Sequence, residues 1–423
     1  VNTLRIAPEH FRRITPFPFE PAPYPPESFL LGEEARAGAH PYHAAGLYYL
    51  QDPGAMVVGA LPELSRAPRV LDLAAAPGGK ATHLAARMAG AGILVANDVH
   101  AGRAWELAGN LERFGARNAI VTSEAPERLA DRWGGWFDLV VVDAPCSGES
   151  MFHKSEVAVR EWSPSAVRGC ARRQGELLRD AVRLVRPGGM LLYSTCTFAP
   201  EEDEEVLARL LADVRGVEMA ALPPVDGGEA ARPEWAGDSA DPSIARAMRL
   251  WPHRFPGAGH FVAALRRADG ESSPLPQTDD LPAASGAALA LFEEFAAAHL
   301  AATPAAEARI VAAGDDLYAV PAGAPPLAEV RALRPGWWLG SARKGRFEPS
   351  HSLAMAITPA EAARSLSFPA DGREVAAFLR GESLRIDGES GWVLVCVEGF
   401  PIGWGKRSGG IVKNHYPRGL RRQ

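Results

Sequence analysis

Two cysteines and an aspartate follow two predicted strands of this chain. Leu139 to Val142 are four consecutive apolar residues, three of them β-branched, and Asp143 and Cys146 come shortly after them. A second predicted strand, residues 189–195, is followed directly by Cys196. The first run is typical of a strand buried on both faces in a parallel sheet. Because open α/β sheets bind ligands at the carboxyl edge of their strands, both thiols are predicted to lie where chemistry occurs.

A thiol at such an edge can activate a carbon atom by adding to its neighbour. Cytosine C5 is a carbon of this kind, because thiolate attack at C6 pushes electron density onto C5, which can then accept a methyl group. The C5 proton must later be removed and the thiol expelled, so a second acid or base group helps. The alternative is that Cys146 and Cys196 are small core residues, since free cysteine is among the most buried residue types. We interpret Cys170 and Cys396 as core residues.

A turn of small residues links a strand predicted at 69–73 to a helix predicted at 82–89. The turn consists of Ala74, Ala75, Ala76, Pro77, Gly78, Gly79 and Lys80. It is neither a Walker loop nor a dinucleotide fingerprint. Its glycines let a ligand approach the backbone, and the helix N-terminus favours a carboxylate. Asp98, which closes the next strand, can accept hydrogen bonds from both hydroxyls of a ribose. These features fit NAD nearly as well as S-adenosylmethionine.

Strands and helices alternate through the middle of the chain, which predicts an α/β fold with a parallel sheet. The helix predicted at 164–185 is expected to stop at Pro187, and residues 260–265 are predicted as a closing strand. We predict an N-terminal segment at 1–60, a catalytic domain at 61–268, a linker at 269–286 and a small α+β domain at 287–423. In that last domain, a helix at 289–300 and strands at 316–320 and 392–397 are predicted.

Composition bounds the class of protein. The chain has 423 residues, of which 47% are hydrophobic and 23% charged, as expected for two or three globular domains. No apolar run approaches the roughly 20 residues that span a bilayer. Four scattered cysteines predict reduced thiols and a cytoplasmic protein rather than a disulfide framework. No metal site is expected. The start, Val1 to Arg5, lacks an initiator methionine and resembles a chain that begins partway into a domain.

The net charge of −6 argues weakly against a nucleic-acid partner, but the charge is unevenly distributed. Residues 401–423 contain six basic residues and no acid. A solvated basic tail is one interpretation. Trp404, His415 and Tyr416 among those charges favour RNA instead, because unstacked bases stack on such rings.

Three blocks of this sequence resemble the signatures of the NOL1/NOP2/Sun family of RNA cytosine-5 methyltransferases, and its bacterial small-subunit ribosomal RNA branch most of all. The blocks are residues 72–80, 143–148 and 193–197. Residues 48–53, the acidic run 201–204, and residues 346–351 and 405–407 also resemble family segments, so the resemblance covers nearly the whole chain. It implies a Rossmann-like class I S-adenosylmethionine-dependent methyltransferase, with an N-terminal RNA-binding segment that lacks its beginning and a PUA-like C-terminal domain.

The resemblance also implies roles for individual residues. Cys196 matches the family's nucleophile, and Cys146 matches the cysteine that assists breakdown of the adduct. Asp143 matches an acid near the reactive methyl group and the cytosine edge, and Lys154 matches a family lysine. Residues 74–80 and Asp98 match the family's cofactor contacts.

The chain departs from the family pattern at Ala125, where an acid near the adenine is usual, so Glu124 or a backbone amide is expected to replace it. Ala81 replaces a usual threonine. We expect a monomer that methylates small-subunit ribosomal RNA, naked or in the assembling 30S particle. The alternatives are a transfer-RNA cytosine-5 methyltransferase and a catalytically weak RNA-binding ribosome assembly factor.

Overall fold

The computed structural model describes residues 1–3, 5–271, 275, 281–301, 305 and 308–422. Of the predicted linker, residues 272–274 and 276–280 therefore lie outside the described residues. None of the helices in the described ranges is both long and apolar enough to cross a membrane.

Short elements form the N-terminal region. They are β1 (Asn2–Thr3), α1 (Pro8–Ile14), β2 (Phe19–Pro21), β3 (Phe29–Leu31), α2 (Pro41–Ala44), β4 (Tyr48–Tyr49) and α3 (Pro53–Ala60). Strand β1 pairs with β4, and β2 pairs with β3, both antiparallel. Proline stands at the first position of α1, α2 and α3, where its missing N–H costs no hydrogen bond.

The middle of the chain alternates strands and helices as predicted. Its elements are β5 (Arg69–Asp72), α4 (Gly79–Met88), β6 (Ile93–Asn97), α5 (Ala101–Arg113), β7 (Ala119–Thr122), α6 (Pro126–Trp133), β8 (Phe137–Asp143), α7 (Glu156–Glu161), α8 (Pro164–Leu184), β9 (Val185–Thr195), α9 (Glu204–Asp213), β10 (Val217–Ala220), β11 (Gly228–Ala230), β12 (Met248–Leu250) and β13 (His260–Arg267).

The central sheet is parallel in the order β9-β8-β5-β6-β7, with β13 added antiparallel on β9. Leu139 to Val142 of β8 are buried, as expected for a strand covered on both faces. One apolar cluster packs α6, α8 and α9 on one face, and a second packs α3, α4 and α5 on the other. This arrangement brings the carboxyl ends of β5, β6, β8 and β9 to one edge.

The boundary between α8 and β9 differs from the prediction. The sequence predicts that Pro187-Gly188-Gly189 separates helix from strand, but the helix ends at Leu184 and the strand starts at Val185. Val185 pairs with Phe137 of β8 and Met190 pairs with Leu139, so residues 186–189 form an irregular bulge between these two pairs. The turn signal of Pro187-Gly188-Gly189, with Gly188 at a φ of 71°, therefore gives a bulge inside β9 rather than a loop before it.

The C-terminal region contains two smaller sheets, one strand that joins the central sheet and three α-helices among the described residues. Its elements are α10 (Gly286–His299), β14 (Arg309–Ala313), β15 (Asp316–Val320), β16 (Ala332–Arg334), β17 (Trp337–Arg343), β18 (Arg346–Pro349), α11 (His351–Ala356), β19 (Ser365–Phe368), α12 (Arg373–Arg380), β20 (Leu384–Arg385), β21 (Gly391–Val397), β22 (Phe400–Ser408) and β23 (Ile411–Asn414). The sheets run β14-β15-β17-β18 and β19-β21-β22-β23-β20.

This region is packed into the rest of the molecule. Strand β16 pairs antiparallel with β7 and so extends the edge of the central sheet. One apolar cluster joins Phe11, Phe29 and Tyr48 of the N-terminal region to Phe378 of α12 and to Tyr416, which follows β23. The two regions that were predicted as separate RNA-binding parts therefore share a hydrophobic core.

Two aromatic rings of the basic tail are buried, Tyr416 in this cluster and Trp404 in another apolar cluster with residues of α10 and α11. Trp404 is 2% exposed and Tyr416 is 5% exposed, whereas His415 lies at the surface beside Trp392. The prediction that Trp404 and Tyr416 stack on RNA bases is therefore wrong for both rings. Their apolar surface contributes to folding through burial instead.

Candidate functional site

The two thiols meet at the carboxyl ends of β8 and β9. The Sγ atoms of Cys146 and Cys196 are 3.3 Å apart, although 50 residues separate them in sequence. The pairing of Asp143 with Ser194 at the ends of these parallel strands sets this proximity. Both cysteines are only partly buried, whereas Cys170 and Cys396 are buried as predicted. The paired thiols are thus accessible at the edge where ligands of such sheets bind.

The thiol pair is electrostatically asymmetric. The Cys146 thiol donates toward Cys196 and, although burial opposes it, lowers the pKa of Cys196 to about 7, with further help from His260 and Lys80. The same contact, together with burial, raises the pKa of Cys146 well above its usual value. Because the thiolate is the nucleophilic form of cysteine, Cys196 is the member of the pair suited to attack. Cys146 stays protonated beside it.

Asp143 lies beside the thiols and is held by three groups. Its carboxylate contacts Lys80 Nζ at 2.6 Å, accepts a hydrogen bond from Ser194 Oγ at 2.8 Å, and lies 3.8 Å from His260 Nε2. Burial raises the pKa of Asp143, but Lys80 and His260 outweigh it and hold the pKa below its usual range. The ionised carboxylate can therefore accept a hydrogen bond from an exocyclic amine.

His260 is a site residue that sequence analysis did not identify. Phe261 of β13 pairs with Thr195 of β9, so the next position in this antiparallel register places His260 beside Cys196. Its side chain is 5% exposed, Nδ1 lies 3.1 Å from the Gly259 carbonyl oxygen, and Nε2 has no hydrogen-bond partner among the described atoms. A polar residue at the start of a predicted closing strand was the available signal.

Glu202, Asp203 and Glu204 of the acidic run 201–204 are buried and form hydrogen bonds and ion pairs that fix the segments around the thiols. Glu202 accepts a hydrogen bond from the Ser147 amide at 3.0 Å and one from Gln174 Nε2 at 2.8 Å. Asp203 accepts one from Thr195 Oγ1 at 2.6 Å, directly before Cys196. Buried Arg249 forms ion pairs with Asp203 and Glu204. Sequence analysis noted this run by resemblance alone and assigned it no function.

The turn of residues 74–80, called here the cofactor turn, lies between β5 and α4. Gly78 precedes α4 with a φ of 114°, a backbone conformation that side chains disfavour. Three hydrogen bonds fix the turn: the Ala75 amide donates to Asn97 O at 2.8 Å, Arg103 to Ala76 O at 2.7 Å, and Asn110 to Pro77 O at 2.7 Å. Ala74 and Gly79 are partly exposed, and Lys80 is buried against Asp143.

Two acids at this turn fit the cofactor that the resemblance implies. Both carboxylate oxygens of Asp72 are fully buried and lack a hydrogen-bond partner among the described atoms. Burial and nearby Asp143 raise the pKa of Asp72 to about 8. A cationic ligand group would satisfy this carboxylate, as the ammonium or sulfonium of S-adenosylmethionine can. Asp98 follows β6 at the same edge, accepts a hydrogen bond from the His100 amide at 2.9 Å and pairs with Arg103.

The N-terminal region reaches this site. Gly79 of the cofactor turn lies so close to Gln51 and Tyr49 that an added Cβ would approach Gln51 Nε2 to 2.9 Å. Asp52 accepts from the Ala258 amide at 3.1 Å, just before His260, and pairs with Lys154 at 3.2 Å. Lys154 itself is at the surface, with 49% of its side chain exposed. Residues 48–53 therefore pack directly against the catalytic edge.

At Ala125, where the family usually has an acid near the adenine, the neighbouring Glu124 carboxylate bonds to this chain's own groups. Glu124 accepts hydrogen bonds from the amides of Ala125 at 3.1 Å and Arg331 at 3.4 Å, and pairs with Arg128. Glu124, one of the two predicted substitutes, is thus already engaged by two backbone amides of this chain. The contact with Arg331 extends the pairing of β7 with β16.

Comparisons with known proteins agree with this geometry. Residues 61–266 match the family model described as 16S rRNA methyltransferase RsmB/F. Residues 1–53 match the N-terminal domain of RsmF, residues 294–357 its first C-terminal domain, and residues 365–422 its PUA domain. The predicted Rossmann-like fold with a PUA-like C-terminal domain is confirmed.

Curated relatives match over nearly the full chain. Ribosomal RNA small subunit methyltransferase F of Erwinia tasmaniensis is 31% identical over 99% of this chain and 89% of that protein. The protein of the same name from an Enterobacter species is 31% identical over 99% of this chain and 88% of its own length.

A solved structure described as a methyltransferase homolog protein from Pyrococcus horikoshii is 30% identical, with a TM-score of 0.54, over 63% of this chain and 85% of that one. The predictions of an S-adenosylmethionine-dependent RNA methyltransferase and of its family are confirmed by these comparisons. The chain belongs to the RsmB/F family of 16S rRNA methyltransferases.

Proposed function

We propose that this enzyme methylates C5 of cytosine in 16S ribosomal RNA and that Cys196 forms the covalent bond to C6. The observation that carries the proposal is the 3.3 Å contact between Cys196 and Cys146 at the strand ends beside Asp143. A methyltransferase acting on an amino group needs no nucleophilic thiol, whereas C5 must first be made electron-rich. We also propose a cytoplasmic location, because assembling ribosomal subunits lie there.

The lowered pKa of Cys196 and the raised pKa of Cys146 favour Cys196 as the thiol that attacks first. The Cys196 thiolate adds to C6, and the electron pair of the C5–C6 double bond moves to C5. S-Adenosylmethionine, when bound, supplies an electrophilic methyl group to that carbon. Asp143 orients the base by accepting from its exocyclic amine, and Lys80 keeps Asp143 ionised. Residues 74–80, Asp72 and Asp98 would hold the cofactor.

Resolution of the adduct follows from the same contact. While Cys196 is a thiolate, its charge and its hydrogen bond keep Cys146 protonated. Once the Cys196 sulfur is bonded to C6, this charge is gone and Cys146 can release its own proton to water. The resulting Cys146 thiolate then takes the C5 proton. The electrons of the C–H bond re-form the C5–C6 double bond, and the Cys196 thiolate leaves.

The proposed substrate is tested by mapping 5-methylcytosine. Bisulfite sequencing of RNA from cells with and without the gene should show at least one cytosine of 16S rRNA that loses its methyl group. Restoration by the wild-type gene, but not by a Cys196→Ala gene, ties the loss to this site. If 5-methylcytosine were lost only from transfer RNA, transfer RNA would be the substrate instead. Unchanged methylation of all RNA would favour an assembly factor.

A further inference from the structure

An exposed apolar patch lies between Cys146 and α8. Ten large apolar side chains are exposed in the described part of the chain, and five of them lie within residues 151–162. We call them the apolar patch: Met151, Phe152, Val157, Val159 and Trp162. Phe152 and Trp162 contact each other edge to face, with ring centroids 6.3 Å apart. Such a concentration of exposed apolar surface marks a binding surface.

The patch is continuous with the catalytic edge. An open cleft of about 460 Å³ is lined by Cys146 and by Met151, Val157 and Trp162 of the patch. Glu149 connects the two by accepting from Trp162 Nε1 at 2.9 Å and from the Phe198 amide at 3.0 Å, two residues after Cys196. A polymer whose reacting base lies at the thiols would therefore extend along this cleft.

The charge around the apolar patch indicates that the bound polymer is a nucleic acid. Residues 151–173 contain five lysines and arginines and two acids, in a chain whose net charge is −6. Arg160, Arg168 and Arg172 are exposed and have no ion-pair partner among the residues that the structure describes. Cations attract phosphates, and exposed aromatic rings provide stacking surfaces for unpaired bases. An apolar partner protein would not require this excess of cations.

We propose that the apolar patch is a stacking platform for an unpaired RNA base next to the target cytosine, with Phe152 and Trp162 as its rings. The proposal rests on RNA being the substrate of this site. It adds a surface that holds the strand in register while the cytosine is at Cys196. Stacking tolerates any base, so the platform contributes affinity and positioning rather than base identity.

The test compares Phe152→Ala, Trp162→Ala and Trp162→Phe in the full chain. Binding of a fluorescently labelled, single-stranded 12-nucleotide RNA that contains cytosine is measured over a range of salt concentrations. Both alanine variants should bind about 5- to 150-fold more weakly, the range for removal of one stacked base. The salt slope should not change, because the cations that neutralise the phosphates are all retained. Trp162→Phe keeps the ring but removes the hydrogen bond to Glu149, so it should retain most of the affinity.

Several results would overturn the platform. These are unchanged RNA affinity in both alanine variants, equal weakening by Trp162→Phe and Trp162→Ala, or normal binding to RNA with abolished binding to 30S particles, which would indicate a protein partner. Unchanged S-adenosylmethionine affinity in all three variants verifies folding. If the wild type methylated no cytosine while the alanine variants still bound RNA more weakly, the proposed function would fail and the platform would stand.

Discussion

The Glu202 carboxylate accepts a hydrogen bond from the Ser147 amide at 3.0 Å, so a residue that follows one thiol along the chain holds the loop that carries the other. Glu202 is fully buried and also accepts from Gln174. The loops of Cys146 and Cys196 are thus joined through their sulfur atoms, through this carboxylate and through the hydroxyls of Ser147 and Thr197, which are 2.9 Å apart.

Removing this carboxylate should loosen the Cys146 loop. In Glu202→Ala, the Ser147 amide loses this acceptor, which should lower the free energy of unfolding by about 1–3 kcal/mol, whereas Gln174 Nε2 keeps the Pro145 carbonyl oxygen as an acceptor at 3.0 Å. Methylation should fall, while S-adenosylmethionine affinity should be unchanged, because the cofactor turn is elsewhere. Denaturant unfolding and calorimetric titration measure the two effects. Glu201→Ala, next to it and partly exposed, serves as the matched control; equal stability of the two variants would rule out this support.

The cofactor site makes a second prediction at Asp98. Asp98→Ala should weaken S-adenosylmethionine binding by about 1.5–3 kcal/mol, the value of hydrogen bonds to a charged group. Asp213→Ala removes an exposed acid of α9 and should bind normally. Unchanged affinity of Asp98→Ala in calorimetry would remove this residue from the site. Binding of NAD by the wild type would favour an oxidoreductase instead.

The pKa asymmetry of the thiols predicts a pH dependence. Alkylation of Cys196 by iodoacetamide should rise with pH around 7, because its lowered pKa makes the thiolate available there. Cys146→Ala removes the donor that lowers this pKa, so the profile should move to higher pH. A rise of one unit would slow alkylation at pH 7 about fivefold. Mass spectrometry resolves each cysteine, and buried Cys170 and Cys396 are internal controls. An unshifted profile would mean that Cys146 does not activate Cys196.

RNA binding by the C-terminal region is tested best by substituting individual basic side chains rather than by truncating the chain. Removal of residues after 286 would delete β16 from the central sheet and open the core shared with the N-terminal region, so truncation would not isolate the tail. Lys413 and Arg418 are exposed. The double variant Lys413→Ala/Arg418→Ala should lower the slope of log K against log salt by about 0.7–0.9 for each phosphate that is no longer neutralised. Arg373→Ala, 94% exposed on α12, is the control. A slope equal to that of the wild type would make the tail ordinary solvated surface.

The sequence was most informative where a few consecutive residues define both a strand or turn and part of the catalytic site. Strand β8 could be predicted because Leu139 to Val142 are apolar and β-branched, and the thiols could be placed because parallel strands present their carboxyl ends together. The cofactor turn was equally local. Each of these inferences needed only a few consecutive residues.

Long-range packing was not predictable in this manner. Trp404 and Tyr416 look like exposed rings in a basic tail, but the N-terminal region and helices α11 and α12 cover them. His260 reaches Cys196 only through the pairing of β13 with β9, and Glu202 reaches Ser147 only because the chain folds back. No local periodicity carries information on such contacts between distant segments.

The central claim is that Cys196 makes the bond to C6, and that Cys146, besides lowering the pKa of Cys196, is required to break the adduct after methyl transfer. The most direct measurement incubates each variant with substrate RNA and S-adenosylmethionine and separates the products on a denaturing gel. Cys196→Ala should give neither methylation nor a covalent complex. Cys146→Ala should stall after methyl transfer and give a shifted protein–RNA band. A shifted band with Cys196→Ala but not with Cys146→Ala would reverse the roles, and full activity without a band in both would contradict the cysteine mechanism.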